Sequence, residues 1–165
     1  MEFLKQPSFW FALISAVAAT YTVVNSYMTN HRKPTININW VSEMEIGSQI
    51  TISFFINNPS VRSVSITDIK LLFGTREYSA TKYPNRLVGS EKIAYSDSLP
   101  ININPYQSES FIVPFQFLPN DVFGKSNIDF AFSIGTKQMR NSFFIAQKHK
   151  TPEQVVLILD QQLQQ

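Results

Sequence analysis

The sequence predicts a mainly β fold, in which an antiparallel β-sandwich follows an N-terminal transmembrane helix and precedes a short C-terminal helix. Three observations predict it. No charged side chain occurs from Gln6 to Asn30. Beyond Pro34, apolar residues recur at every second position in run after run, separated by turn residues. From Thr151 the apolar period becomes that of a helix. With 165 residues, 44% of them hydrophobic and 16% charged, the chain has room for one real core and an appendage. We divide it into an anchor with its basic flank (1–33), a sandwich (34–147) and an amphipathic helix (148–165).

The uncharged segment centres on Ser8 to Met28, which as a helix rises roughly 31 Å at about 1.5 Å per residue, the thickness of a bilayer's hydrocarbon core. Its lipid-facing surface comes from Phe9, Trp10, Phe11, Leu13, Ile14, Val17, Val23, Val24 and Tyr27, with aromatic rings toward both ends, where headgroups lie. Pro7 suits the entry turn. Ser15, Thr20, Thr22, Asn25 and Ser26 dilute the span, and each requires a hydrogen-bond partner in lipid. Ala12, Ala16 and Thr20 share one face, which we read as tolerated small residues rather than as a dimer seam, leaving self-association open. A cleaved signal peptide would use Phe9 to Ile14 as its apolar segment and Ala16 to Ala18 as its cleavage site. Against cleavage, uncharged sequence continues to Asn30, and Lys5, the only positive side chain before the span, is offset by Glu2. A helix buried in a globular core would need more surrounding protein than the rest of the chain supplies.

His31, Arg32 and Lys33 abut the end of the span. Positive charge beside a span resists translocation, so Arg32 and Lys33 favour a cytoplasmic sandwich with the N-terminus outside. We read the cluster as a solvated stop-transfer flank rather than as a lipid-headgroup site.

Pro34 ends any continuing helix, and alternation then places Ile36, Ile38 and Trp40 on one face of a strand. The same period returns in Ile50, Ile52, Phe54 and Ile56, in Phe111, Val113, Phe115 and Phe117, and in Ile128, Phe130, Phe132 and Ile134. It recurs less cleanly in Met139, Asn141, Phe143 and Ile145. Weaker strand candidates are Val64 to Phe73, Arg76 to Ser79, Lys92 to Tyr95 and Leu99 to Ile103. Turn signals fall at Gly47-Ser48, Asn57 to Ser60, Tyr83 to Asn85, Pro119 to Asp121 and Gly135 to Lys137. Seven or eight short strands with such turns make a sandwich. The polar section from Lys82 to Ser98 is the least regular, and we read it as connection rather than as a binding loop. In the last segment Thr151 caps a helix, Pro152 takes its first position and Gln154 completes a capping box. Val155, Val156, Leu159 and Leu163 form its apolar stripe, able to pack on the sandwich or on another copy. The helix is too short to cross a membrane.

Chemistry is hard to place on these residues. The absence of cysteine removes disulfides, thiolate metal sites and thiol catalysis. His31 and His149 sit in basic flanks with no second ligand at metal-binding spacing. No serine lies in a Gly-x-Ser-x-Gly turn. Asp68, Asp97, Asp121 and Asp129 fall near turns or strand edges, and the five glycines form no phosphate-cradling loop. We expect no enzyme activity, no cofactor and no metal. A net charge of +2, from basic and acidic residues scattered along the chain, argues against nucleic acid.

The order of an uncharged span, "HRKP", an alternating strand and then "ISFFINNPSVRSVSITDIKLLFG" resembles a group of uncharacterised bacterial and prophage single-span membrane proteins. In that group the anchor precedes an immunoglobulin-like β-sandwich. The resemblance implies a bacterial cell membrane protein of that fold. By size and architecture the chain also resembles the superinfection-exclusion proteins carried by prophages of lactic acid bacteria, which implies action at the membrane against phage DNA entry. The expected function is a membrane-anchored, non-enzymatic binding module whose partners are the bilayer and a membrane or envelope protein. The rival expectation is a structural subunit of an envelope or phage assembly, docked through the C-terminal helix.

Overall fold

Pro7 opens helix α1, which runs to Asn30 in the computed structural model; the structure describes residues 6–30, 32–44, 48–87 and 94–162. Glu2, Lys5, His31 and Leu163 lie outside the described residues, as does part of the Lys82 to Ser98 section. The strands that follow are β1 (Thr35–Met44), β2 (Gln49–Asn57), β3 (Val64–Phe73), β4 (Arg76–Ser79), β5 (Arg86–Leu87), β6 (Ala94–Tyr95), β7 (Ile101–Ile103), β8 (Ser108–Phe115), β9 (Asn127–Ile134) and β10 (Lys137–Phe144). A 3₁₀ turn covers Asn120–Val122, and helix α2 covers Pro152–Gln162.

All strand pairs are antiparallel. One sheet has the order β1-β2-β8 and the other β10-β9-β3-β4, with β7 sharing the β4 edge of β3, while β5 and β6 pair on their own. In chain order, β1, β2 and β8 occupy the places of strands A, B and E of an immunoglobulin-type sandwich, and β3, β9 and β10 those of C, F and G. The β3–β4 and β9–β10 hairpins are closed by Gly74-Thr75 and Gly135-Thr136. Their glycines hold φ +61° and +56°, the left-handed conformation that two-residue hairpin loops demand.

The core is built as the alternation predicts. Ile50, Ile52, Phe54 and Ile56 of β2 are fully buried and face Phe130 and Phe132 of β9. The Phe54 ring meets both phenylalanines edge-on at 5.3 Å and lies over Phe111 of β8 at 5.6 Å. Such T-shaped and offset contacts suit the ring quadrupole and add about 0.5–1.5 kcal/mol per pair beyond burial. β10, an edge strand, only half-buries Met139 and Phe143, which explains its less regular pattern in the sequence.

Two residues leave the faces that alternation assigns them. Opposite β2, Ile38 pairs with Phe54 but Trp40 pairs with Ser53, so Asn39 is an extra residue in β1. This bulge turns Trp40 to the outer side of the sheet and lets Val41 enter the core in its place. Phe117 is 88% exposed, because β8 ends at Phe115 and a left-handed residue at 117 (φ +59°) turns the chain. Leu118 is buried instead, its N–H donating to the Ser48 carbonyl at 2.9 Å.

The "NNPS" turn is organised by a buried side chain. Asn58 Nδ2 donates to the carbonyls of Arg62 (2.8 Å), Asn104 (3.0 Å) and Ile103 (3.3 Å), and its Oδ1 accepts from the Ser60 backbone at 3.1 Å. One amide thereby joins the β2–β3 connection to the β7–β8 connection. Asn58→Ala would leave these carbonyls without their donor, and we expect a loss of about 2–3 kcal/mol. Chemical denaturation of the full chain in detergent checks this; an unchanged midpoint would show that water replaces the amide at no cost.

Candidate functional site

α1 is the first candidate element. None of its residues is buried by the described residues, and its 24 residues are long and apolar enough to cross a membrane, a property it shares with signal sequences. Three of the hydroxyls that dilute it are satisfied within the helix. Ser15, Thr20 and Thr22 donate to the carbonyls of Phe11, Ala16 and Ala18, each at 2.8 Å. A side chain bonded to its own preceding turn presents little polarity to lipid. All nine predicted anchor residues, Phe9 to Tyr27, lie on this helix with their side chains exposed.

The sheet edges are treated unequally. Beside β1, the segment after β10 runs parallel to the strand: the Val41 N–H donates to the Lys148 carbonyl at 2.9 Å and the Lys150 N–H to the Val41 carbonyl at 2.8 Å. Lys148 Nζ also donates to the Ile38 carbonyl. Beside β8, Thr81 donates to the Pro114 carbonyl at 3.0 Å and Asp97 to that of Ile112 at 2.8 Å. The Asp97 carboxylate accepts from the Ile112 N–H at 2.7 Å. The irregular Lys82 to Ser98 section therefore helps close an edge. In the second sheet, β4 forms a short charged edge, with Lys70 and Glu77 paired at 2.8 Å and Arg76 and Asp121 at 2.7 Å. The Lys70 ammonium holds the Glu77 carboxyl below its ordinary range by hydrogen bond and charge. Along β10, by contrast, no backbone partner lies on the outer side among the described residues. Lys137 and Arg140 are exposed there, and a concavity of about 400 Å³ lies beside them, lined also by Lys33, Pro34, Ile134 and Met139.

α2 packs on its own sandwich. Val155 and Leu159 are buried against Trp40 on the outer face of the first sheet, with Ile112 and Ile158 alongside, whereas Val156 is half-buried. The predicted capping box forms: the Thr151 N–H donates to Gln154 Oε1 at 3.1 Å, and the Gln154 N–H to Thr151 Oγ1 at 3.4 Å. The hydroxyl of Thr151 also holds the Glu153 carboxyl below its ordinary range. Changing Val155 and Leu159 together to Asp is expected to lift α2 away and red-shift Trp40 emission, read in a Trp10→Phe background. An unshifted spectrum from a monodisperse sample would place the stripe elsewhere in solution.

The candidate acids stay apart. Asp97 caps the edge of β8, Asp121 pairs with Arg76, Asp129 is exposed on β9, and Asp68 Oδ1 is buried with no hydrogen-bond partner. Sequence spacing misses one pairing. His149 lies in the strand-like segment beside Val41, not in a free flank, and its Nδ1 is 3.9 Å from Glu43 Oε1. The two are remote in the chain and no local motif joins them. No group of three or more metal-ligating side chains forms among the described residues.

A second feature that spacing hides is the end of the sandwich where α1 enters. Four segments meet there: 32–35, 57–64, 103–108 and 134–137. They carry Arg32, Lys33, Arg62 and Lys137, all exposed, and no carboxylate.

No family model matches the chain, and no curated protein does. Among solved structures, the ligand-binding region of serine-glutamate repeat protein A of Enterococcus faecium is similar over 73% of this chain and 97% of that one, at 12% identity and a TM-score of 0.40. A protein from Archaeoglobus fulgidus is similar over 68% of this chain and 95% of its own, at 11% identity and a TM-score of 0.31.

Proposed function

We propose that the chain is a non-enzymatic binding module, held at a bacterial cell membrane by α1 as a single span and presenting its sandwich on the cytoplasmic side. The observation that carries this reading is the unequal treatment of edges: the β1-β2-β8 sheet is bonded at Val41 on one edge and at Ile112 and Pro114 on the other, whereas the alternate residues of β10 that face outward, four of its eight, have no backbone partner among the described residues. An exposed strand edge takes an added strand from a partner, main-chain bonds giving affinity and alternate side chains giving selectivity. Tethering by α1 raises the local concentration of this edge beside any partner in the same membrane, so a weak contact suffices. The finer role we propose is superinfection exclusion by a prophage-encoded protein, supported by the resemblance in size and element order.

The chain has no cysteine, so Gln138→Cys places a single crosslinking thiol on β10. Crosslinking in cells is expected to trap a membrane or envelope protein through this position and not through Ser79→Cys on β4. Equal trapping from both positions would overturn the assignment of the edge. For the finer role, expression is expected to lower productive infection while adsorption stays normal, and unchanged plaque counts across a broad phage panel would remove it. The rival subunit reading needs the α2 stripe for another chain; what weighs against it is that two of the stripe's residues, Val155 and Leu159, are buried against Trp40 of the same chain.

A further inference from the structure

The four segments at the α1 end of the sandwich belong to different strands and are far apart in the sequence, yet they form one rim. The register puts Thr35 opposite Asn57, Asn57 opposite Ser108, Val64 opposite Ile103 and Ile66 opposite Ile134, which aligns all four at the same end. The rim's four cations stand on a chain whose whole net charge is only +2, so the remainder is net negative. Among the described residues of these strands the first acids are Glu109, which directly follows Ser108, and Asp68 on β3, and both are half-buried. The same segments carry two exposed side chains with apolar bodies, Val61 and Tyr106, the latter 63% exposed. Tyr106 is held in a left-handed conformation (φ +57°), its N–H donating to the Ser60 carbonyl in the turn that Asn58 organises. A tyrosine with its ring in apolar surroundings and its hydroxyl in water is a side chain of the bilayer interface.

Distance decides what this rim meets. Between Asn30, the last residue of α1, and Thr35, the first of β1, there are five Cα steps, which reach at most about 17 Å when extended. If α1 spans the hydrocarbon, the rim hangs within about that distance of its edge, and roughly 6 Å of it is headgroup layer. The cations then stand within about a Debye length of the lipid phosphates.

We propose that this rim is a docking surface for anionic phospholipid headgroups, with Arg32, Lys33, Arg62 and Lys137 facing the phosphates and Tyr106 and Val61 entering the interface, which replaces the reading of Arg32 and Lys33 alone as a solvated flank. The inference rests on the anchored reading and adds an orientation: the sandwich sits upright on the bilayer, rim down, with β10 standing clear along its length. Each cation near an anionic surface weights the docked geometry about five-fold.

The test uses the full chain with a fluorophore on Gln107→Cys in the rim or on Thr75→Cys at the opposite end. It is reconstituted into vesicles of phosphatidylcholine, alone or mixed with phosphatidylglycerol, each doped with a headgroup spin-labelled lipid as quencher. The chain is expected to float with both vesicles. The rim label is expected to be quenched more strongly when phosphatidylglycerol is present, and the distal label equally in both. Arg62→Gln with Lys137→Gln should lower the docked-to-undocked ratio about five-fold for each charge removed, and Arg62→Lys with Lys137→Arg should restore it. Rim quenching independent of phosphatidylglycerol, or unchanged by the glutamine pair, overturns the docking surface while leaving the anchor intact. A chain that does not float with phosphatidylcholine vesicles overturns the anchored reading itself, and the docking surface with it.

Discussion

Replacing Ile14 and Val17 by Arg together is expected to move the chain from the membrane fraction to the soluble one. Ile14 closes the first third of α1 and Val17 lies in its middle third, and both are more than 60% exposed. Each arginine at the centre of a span costs about 2.5–3.5 kcal/mol of insertion free energy, so the pair removes roughly 6 kcal/mol. Neither position belongs to the buried core among the described residues, so the substitution leaves the domain's own core intact. The measurement is carbonate extraction followed by flotation, with Trp40 emission reporting a folded sandwich in a Trp10→Phe background. Intact mass of the unsubstituted protein separates a retained span from a cleaved signal sequence, since a retained span keeps Met28 and all before it. A doubly substituted chain that still floats would show that lipid is not what surrounds α1.

Phe54→Ala is expected to cost about 3–5 kcal/mol, a large part of the roughly 5–15 kcal/mol that holds a domain of this size together. Phe54 has no exposed surface and touches three other rings, Phe111 in its own sheet and Phe130 and Phe132 in the facing one. Its removal opens a cavity between two hydrogen-bonded sheets, which cannot collapse to fill it. The control is Phe117→Ala, expected to stay within about 0.5 kcal/mol because that ring is solvated. Denaturation midpoints of the two variants in detergent should therefore differ widely. Similar midpoints would mean that the phenylalanine-rich core does not carry the stability of the sandwich.

These two variants draw on what is legible in the chain. A run without charge, ended by Arg32 and Lys33, reads directly as a helix suited to lipid, because hydrophobic length and the helical rise are local quantities. Alternation reads directly as a buried strand face, which is why β2 and β9 emerge with the expected residues inside. The capping box at Thr151 is equally local. Alternation fails where one residue changes the phase. Asn39 has nothing in its type to announce a bulge, and Phe117 nothing to announce a left-handed turn; each is imposed by pairing with a partner strand.

By itself the sequence determined the presence of an N-terminal helix long and apolar enough to cross a membrane, a two-layered apolar core and a terminal amphipathic helix, since each depends on a period or a composition within one short segment. Tertiary structure decided which edges are covered, where the α2 stripe rests, and that cations far apart in the chain converge at one end of the sandwich. The physical reason is that pairing register and sheet order join residues tens of positions apart, and neither is encoded in the spacing of the residues that they bring together.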